Sequence, residues 1–317
     1  RRYNSLPSVG RTHGQHASII SFGLKFAVWV NELSYHVERI EEGKKRFLLC
    51  KTLGVVGTGS LMGSKALDVQ KSVAKSLGLY SIEAATQVIP RERLAEVQFV
   101  ISLIGSTLDK IATEIRNLQR TEIGEVEEPF KKGQLGSSAV PVKRNPIKSE
   151  RISSLARILR SFSNIAQENI PLWHERDLSN SANERFTIPM GVILLDEMIN
   201  SMIKVIEGLS VNRQKILDNI NETKGRIFAE FILEALVKKG IPRMKAYDNI
   251  QHVAFVTLLD DKDFKEAIMQ DPSIGAHLSK NELRTIFDPN THLAASTRII
   301  EDVIRKAGQV RKNYKGR

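Results

Sequence analysis

Cysteine is nearly absent. Cys50 is alone among 317 residues, which excludes an internal disulfide and a cysteine-rich metal site. Aromatic residues make up only 6% of the chain, too little for a base-stacking platform. The basic residues are scattered through helical patterns and not clustered, so no nucleic acid partner is expected despite a net charge of +11. That charge, with a pI near 9.7, suits a small, multiply anionic substrate instead. No unbroken apolar run reaches the roughly 18 residues of a membrane span, and no signal-peptide core follows the basic opening RRYNSLPSVG. A soluble, cytoplasmic protein without a membrane partner is expected. Sustained period-two alternation is missing too, so no extended sheet is expected.

What is present is helical periodicity. Leu94, Val97, Ile101, Ile104, Leu108, Ile111, Ile115 and Leu118 follow one another at intervals of three and four residues, which predicts one long helix with a continuous apolar seam. A second seam runs Phe26, Val30, Leu33, Val37, Ile40, and a third Val192, Leu195, Ile199, Met202, Ile206, Leu209. Ile152, Leu155, Leu159, Phe162 and Ala166 mark a fourth helix. The expected fold class is all-α: a central bundle of long helices over residues 1–219, then a small helical C-terminal domain over 220–317, where KKGIPR, DPSIGAH and DPNTH punctuate short helices. Seams of this length imply partner subunits that complete the bundle.

Loops interrupt the helices at 52–64 and 131–149, and loops are where chemistry can sit. VVGTGSLMG at 55–63 superficially resembles a dinucleotide fingerprint, but its GxGxxxG spacing is one residue too long and no βαβ pattern surrounds it; it reads as a turn between long helices. KKGQLGSSAVPVKRNP at 131–146 sets two hydroxyls, a cation and an amide between glycines and prolines, a pattern open to either a surface linker or a mobile lid. GRTHGQHA at 10–17 places His13 and His16 between glycines just before the first long helix, where a histidine can cap, pack or transfer protons. HxxH alone lacks a third ligand, so no metal and no cofactor are expected. WHERDLSNSANER at 173–185 brings Arg176, Ser181 and Arg185 within ten positions, as solvated residues or as a grip on phosphate or carboxylate.

GSSAVPVKRNP resembles the signature loop of the fumarase/aspartase superfamily. RTHGQHA, TQVIPRER, IRNLQRTEIGEVEEPF and WHERDLSNSANER resemble the adenylosuccinate lyase family within it. The resemblance runs from about residue 10 to at least residue 250 and does not include that family's N-terminal domain. It implies a homotetramer of long-helix bundles whose active sites are shared between subunits. It also implies non-hydrolytic cleavage of a nucleotide-succinate substrate to fumarate. By motif position, Ser137 resembles the general base and His13 the general acid. Lys143 and Glu150 complete the catalytic set, with Lys143 stabilising charge and Glu150 orienting site groups. Ser138 and Asn145 resemble residues that hold the fumarate-side carboxylates. Thr12, Gln87 and Arg151 resemble substrate-binding positions, and Arg176, Ser181 and Arg185 those holding the nucleotide phosphate. Gly133 and Gly136 are expected as hinges of a lid, and His16 as a structural or supporting residue. The loop departs from the signature at Val140 and Val142, which changes fit more than mechanism. Argininosuccinate lyase, a carboxymuconate cycloisomerase and an inactive structural homologue are the competing readings.

Overall fold

The computed structural model describes residues 1–130 and 139–314. The all-α expectation holds, with α1 (Phe22–Phe47), α2 (Ala66–Ser76), α3 (Glu92–Leu118), α4 (Ile147–Glu168), α5 (Ser181–Glu207) and α6 (Arg213–Asn221) in chain order. After them come α7 (Ala229–Lys238), α8 (Arg243–Leu259), α9 (Phe264–Gln270), α10 (Pro272–Gly275), α11 (Lys280–Ile286) and α12 (Ala294–Tyr314). Ahead of α1 stands an antiparallel hairpin, β1 (Pro7–Thr12) and β2 (Gln15–Ser21). The sequence did not announce it, because Ser8 and Ser21 are fully buried and erase the apolar–polar alternation.

Two compact units share the chain. One comprises Arg1–Asn31, Arg120–Val126 and Val211–Arg317, the other Glu32–Gln119 and Glu127–Ser210. This partition differs from a single cut at 219/220, for a packing reason. Val9 and Ile19 of the hairpin are buried in the same apolar cluster as Ile232, Leu236, Phe264, Ile268 and Leu283. The short helices of this first unit begin where the chain supplies caps. Asp263, Asp271, Ser279 and Asp288 accept backbone N–H groups at the starts of α9, α10, α11 and the turn Pro289–His292. At Asp271 and Asp288 the following proline costs no hydrogen bond at a helix start.

In the second unit α3 is the spine, 27 residues long, or about 40 Å at 1.5 Å per residue. From Ile101 onward its predicted seam is buried: Ile101, Ile104, Leu108, Ile111, Ile115 and Leu118 are all 8% exposed or less, while Leu94 and Val97 at its start are half-buried. α4 lies tightly against it. A Cβ at Gly105 would stand 2.7 Å from Leu159 Cδ1, so glycine is what lets the two helices approach. α5 contains Pro189, which cannot donate to the helix ladder. Gln98 of α3 reaches this region and donates from Nε2 to Thr187 O at 2.8 Å.

The other two seams behave differently. Val30, Val37 and Ile40 of α1 and Val192 and Ile199 of α5 are all at least 38% exposed, and of the α5 seam Met202 is buried, beside Met198 and Val205 from outside it. By length and composition α5 is also apolar enough to cross a membrane, which the sequence reading missed because Asp196 and Glu197 break its apolar run.

Candidate active site

The hairpin tip carries His13. Thr12 pairs with Gln15 across the two-residue turn His13–Gly14, and both turn residues have positive φ, 52° and 75°. That is the mirror-image turn whose twist suits an antiparallel hairpin, and it is why glycine follows the histidine. His13 therefore sits at an exposed tip and not at the start of α1, from which β2 separates it. Thr12 is exposed beside it. His16, on the return strand opposite Arg11, is partly buried. Burial first, then the Arg11 charge, pull its pKa below the ordinary value, against Glu222 and Glu125.

Arg11 roots the hairpin. Its Nη2 meets Glu125 Oε1 at 2.6 Å, with side chains 14% and 0% exposed. Asn219 donates to the same oxygen at 2.9 Å and to Ile123 O at 2.8 Å.

In the second unit, Gln87 is a junction. Its Oε1 accepts from Arg176 Nη1 at 2.9 Å, its N–H donates to Glu175 O at 3.2 Å, and its carbonyl accepts from Lys51 Nζ at 2.9 Å. Lys51 also donates to Gly54 O, and desolvation lowers its pKa. The glycine loop that resembles a dinucleotide fingerprint serves this junction. A Cβ on Gly57, at φ 80°, would stand 1.9 Å from Ala85 O, so only glycine lets the loop lie against the backbone leading to Gln87.

The segment after Gln87's partner is folded by Asp177, which accepts from Ser179 N at 2.7 Å and from Trp173 N. Those bonds, the Ser179 ones first, hold its pKa below the usual carboxylate range. Ser181 opens α5 and Arg185 follows one turn later on an exposed face. Between them Glu184 is pinned by Arg91 at 3.0 Å in a largely buried pair. A guanidinium, a hydroxyl and a second guanidinium at such a helix start suit a phosphate.

Around the signature loop, Ser137 and Ser138, with Gly133 and Gly136, lie outside the described residues. The exposed Lys143 donates its N–H to Val140 O at 3.0 Å, and Asn145 is partly buried just before α4. Glu150 is exposed in the first turn of α4. The neighbouring Arg151 pairs with Glu197 of α5 at 3.1 Å. The start of α4 is held from outside. The buried Glu128 accepts from Ser149 N at 2.7 Å and Lys148 N at 3.2 Å, and Gln119 ties Glu128 N to Arg144 O.

Thr12 and His13 thus belong to the first unit, and Gln87, Lys143, Asn145, Glu150, Arg151, Arg176, Ser181 and Arg185 to the second. Direct contact joins Gln87 to Arg176. Lys51, Glu128, Arg11 and Glu125 are supporting residues that the sequence reading did not single out. Arg11 lies within the RTHGQHA motif and Glu125 and Glu128 within EVEEPF, so the motifs were a signal for these three; for Lys51 there was none.

Comparison with known proteins agrees with the motifs. A family model described as lyase matches residues 1–160, and one described as adenylosuccinate lyase C-terminus matches residues 225–303. Adenylosuccinate lyase of Pyrococcus abyssi is 42% identical over 296 residues, covering 93% of this chain and 66% of that protein. The enzyme of Methanocaldococcus jannaschii is 40% identical, covering 94% of this chain and 64% of its own. The chain thus spans about two thirds of the length of these relatives. Among solved structures, the 3-carboxy-cis,cis-muconate lactonizing enzyme of Pseudomonas putida superposes with a TM-score of 0.86 at 26% identity, covering 98% of this chain and 68% of that one. With half its length matched by the family model and the site motifs in place, the chain belongs to the lyase family, within the fumarase/aspartase superfamily that its loop and hairpin resemble.

Proposed function

We propose that the protein cleaves adenylosuccinate to AMP and fumarate, together with the matching succinyl-carboxamide ribonucleotide of purine synthesis. The observation that carries this reading is the contact between Gln87 and Arg176, which with Ser181 and Arg185 at the start of α5 is read as the set that would grip the phosphate of a nucleotide substrate. The identity to adenylosuccinate lyases supports it over a cycloisomerase or an argininosuccinate lyase.

Elimination across a carbon–nitrogen bond needs a base for the proton beside a carboxylate, an acid for the leaving nitrogen, and donors for the carboxylate that takes up charge. In this reading Ser137 is the base and His13 the acid. Ser138, Lys143 and Asn145 hold the succinyl carboxylates, Glu150 orients site groups, and Thr12, Gln87 and Arg151 bind the remainder. Serine can act as the base only as its alkoxide, so its own proton must first pass to another group of the site, and that anion is tolerated only where water is excluded and donors surround it. The exposed apolar residues Val30, Val37 and Ile40 of α1 and Val192 and Ile199 of α5 support association with further copies, here proposed as a homotetramer with shared sites that works in the cytoplasm.

The test is fumarate release from adenylosuccinate by the full-length protein beside Ser137→Ala. The wild type is expected to turn over and the variant to fall at least ~100-fold. A folded wild type that releases no fumarate refutes the assignment, and argininosuccinate is then the next substrate.

A further inference from the structure

Glu125 stands 114 residues from Arg11 in sequence, and its side chain is completely buried. It receives Arg11 Nη2 at 2.6 Å and Asn219 Nδ2 at 2.9 Å on one oxygen, while its own carbonyl accepts from Asn212 N at 3.0 Å. Arg11 lies two residues from His13, at the point where the hairpin register shifts between Gly10 and Arg11. A register shift of this kind re-aims the side chains beyond it and lets a strand end be pinned independently of its root.

The cluster is a poor source of stability. A buried ion pair roughly breaks even against apolar packing, and here Arg11 Nη1, Glu125 Oε2 and Asn219 Oδ1 are buried without a partner among the described residues. Apolar packing from Val9 and Ile19 already secures the hairpin root. What the ion pair adds lies beyond the shift, at the exposed tip.

We propose that Glu125, acting through Arg11 and braced by Asn219, is the positioning residue that fixes the hairpin tip and hence the His13 imidazole for its role as acid. The inference rests on the reading of His13 given above. It goes further in naming three residues, Glu125, Arg11 and Asn219, that act through the position of His13.

The experiment uses the full-length protein with Glu125→Gln, Arg11→Met and the double variant. Each single variant leaves a charge unpaired and is expected to lower both Tm and kcat, kcat by about 10- to 100-fold, with KM changed less than about threefold. The double variant removes the unpaired charge and is expected to recover Tm but not kcat. Hydrogen exchange at residues 9–20 is expected to rise at least about tenfold in the double variant and little elsewhere. Recovery of kcat together with Tm, or a loss carried by KM, overturns the proposal, because a merely structural pair behaves that way. If the wild type releases no fumarate, the functional reading falls by itself, and the exchange comparison still decides positioning: unchanged exchange at the tip sinks it.

Discussion

Truncating Glu128 to alanine probes how the first turn of α4, which carries Glu150 and Arg151, is held in place. The N-cap residue of α4 is Pro146, which supplies no side-chain cap, so the orphan N–H groups of Lys148 and Ser149 depend on the Glu128 carboxylate at 3.2 and 2.7 Å. Ser149 is fully buried, and its amide has no route to water once the carboxylate is gone. An unpaired buried donor costs about 1–3 kcal/mol, and loss of a helix cap typically about 1 kcal/mol. Removing a carboxylate that is itself only 6% exposed returns part of that desolvation cost. The net destabilisation is expected at about 2–3 kcal/mol for Glu128→Ala. Glu128→Gln keeps an acceptor for Ser149 and is expected to lose about 1 kcal/mol. Urea denaturation of the full-length protein at one fixed concentration measures both, since subunit association would otherwise move the midpoint. Fumarate release should fall in the same order. An alanine variant within about 0.5 kcal/mol of wild type would refute the reasoning and make Glu128 a bystander.

Gly57→Ala places a Cβ 1.9 Å from Ala85 O and must displace the backbone leading to Gln87, so KM for the nucleotide substrate is expected to rise more than kcat falls in steady-state assays. Gly105→Ala gains about 1 kcal/mol of helix propensity but drives a Cβ to 2.7 Å from Leu159 Cδ1. The overpacking costs about 1–3 kcal/mol, and a net loss of about 1 kcal/mol should register as a lower thermal midpoint. His36 is buried with Nδ1 accepting from Arg39 and Nε2 donating to Thr107, and burial first, then the Arg39 charge, lower its pKa from 6.5. The unfolded chain therefore takes up the proton first. The stability this group contributes is complete above pH 6.5 and is lost as pH falls toward the lower folded value. His16 adds in the same direction, so Tm from pH 8 to 5 should decline less steeply in His36→Gln and least in a variant that also replaces His16.

Interaction at short range was open to reading. The intervals along α3 predict both the helix and its buried seam, because a helix repeats every 3.6 residues whatever surrounds it. Asp–Pro pairs mark the short C-terminal helices for the same local reason, and Ser181 and Arg185 share a helix face by their spacing alone. Tertiary structure decided the rest. It made a hairpin where buried serines hide alternation, and it rooted that hairpin in the core of residues 220–293. It also left Val30, Val37 and Ile40 of the α1 seam and Val192 and Ile199 of the α5 seam exposed, although the periodicity matches that of α3. Gln87 meets Arg176 across 89 residues, and Arg11 meets Glu125 across 114. No local pattern encodes such pairs, because a side chain's partner depends on how distant elements pack, and only the folded chain brings the two charges or the amide and guanidinium within reach.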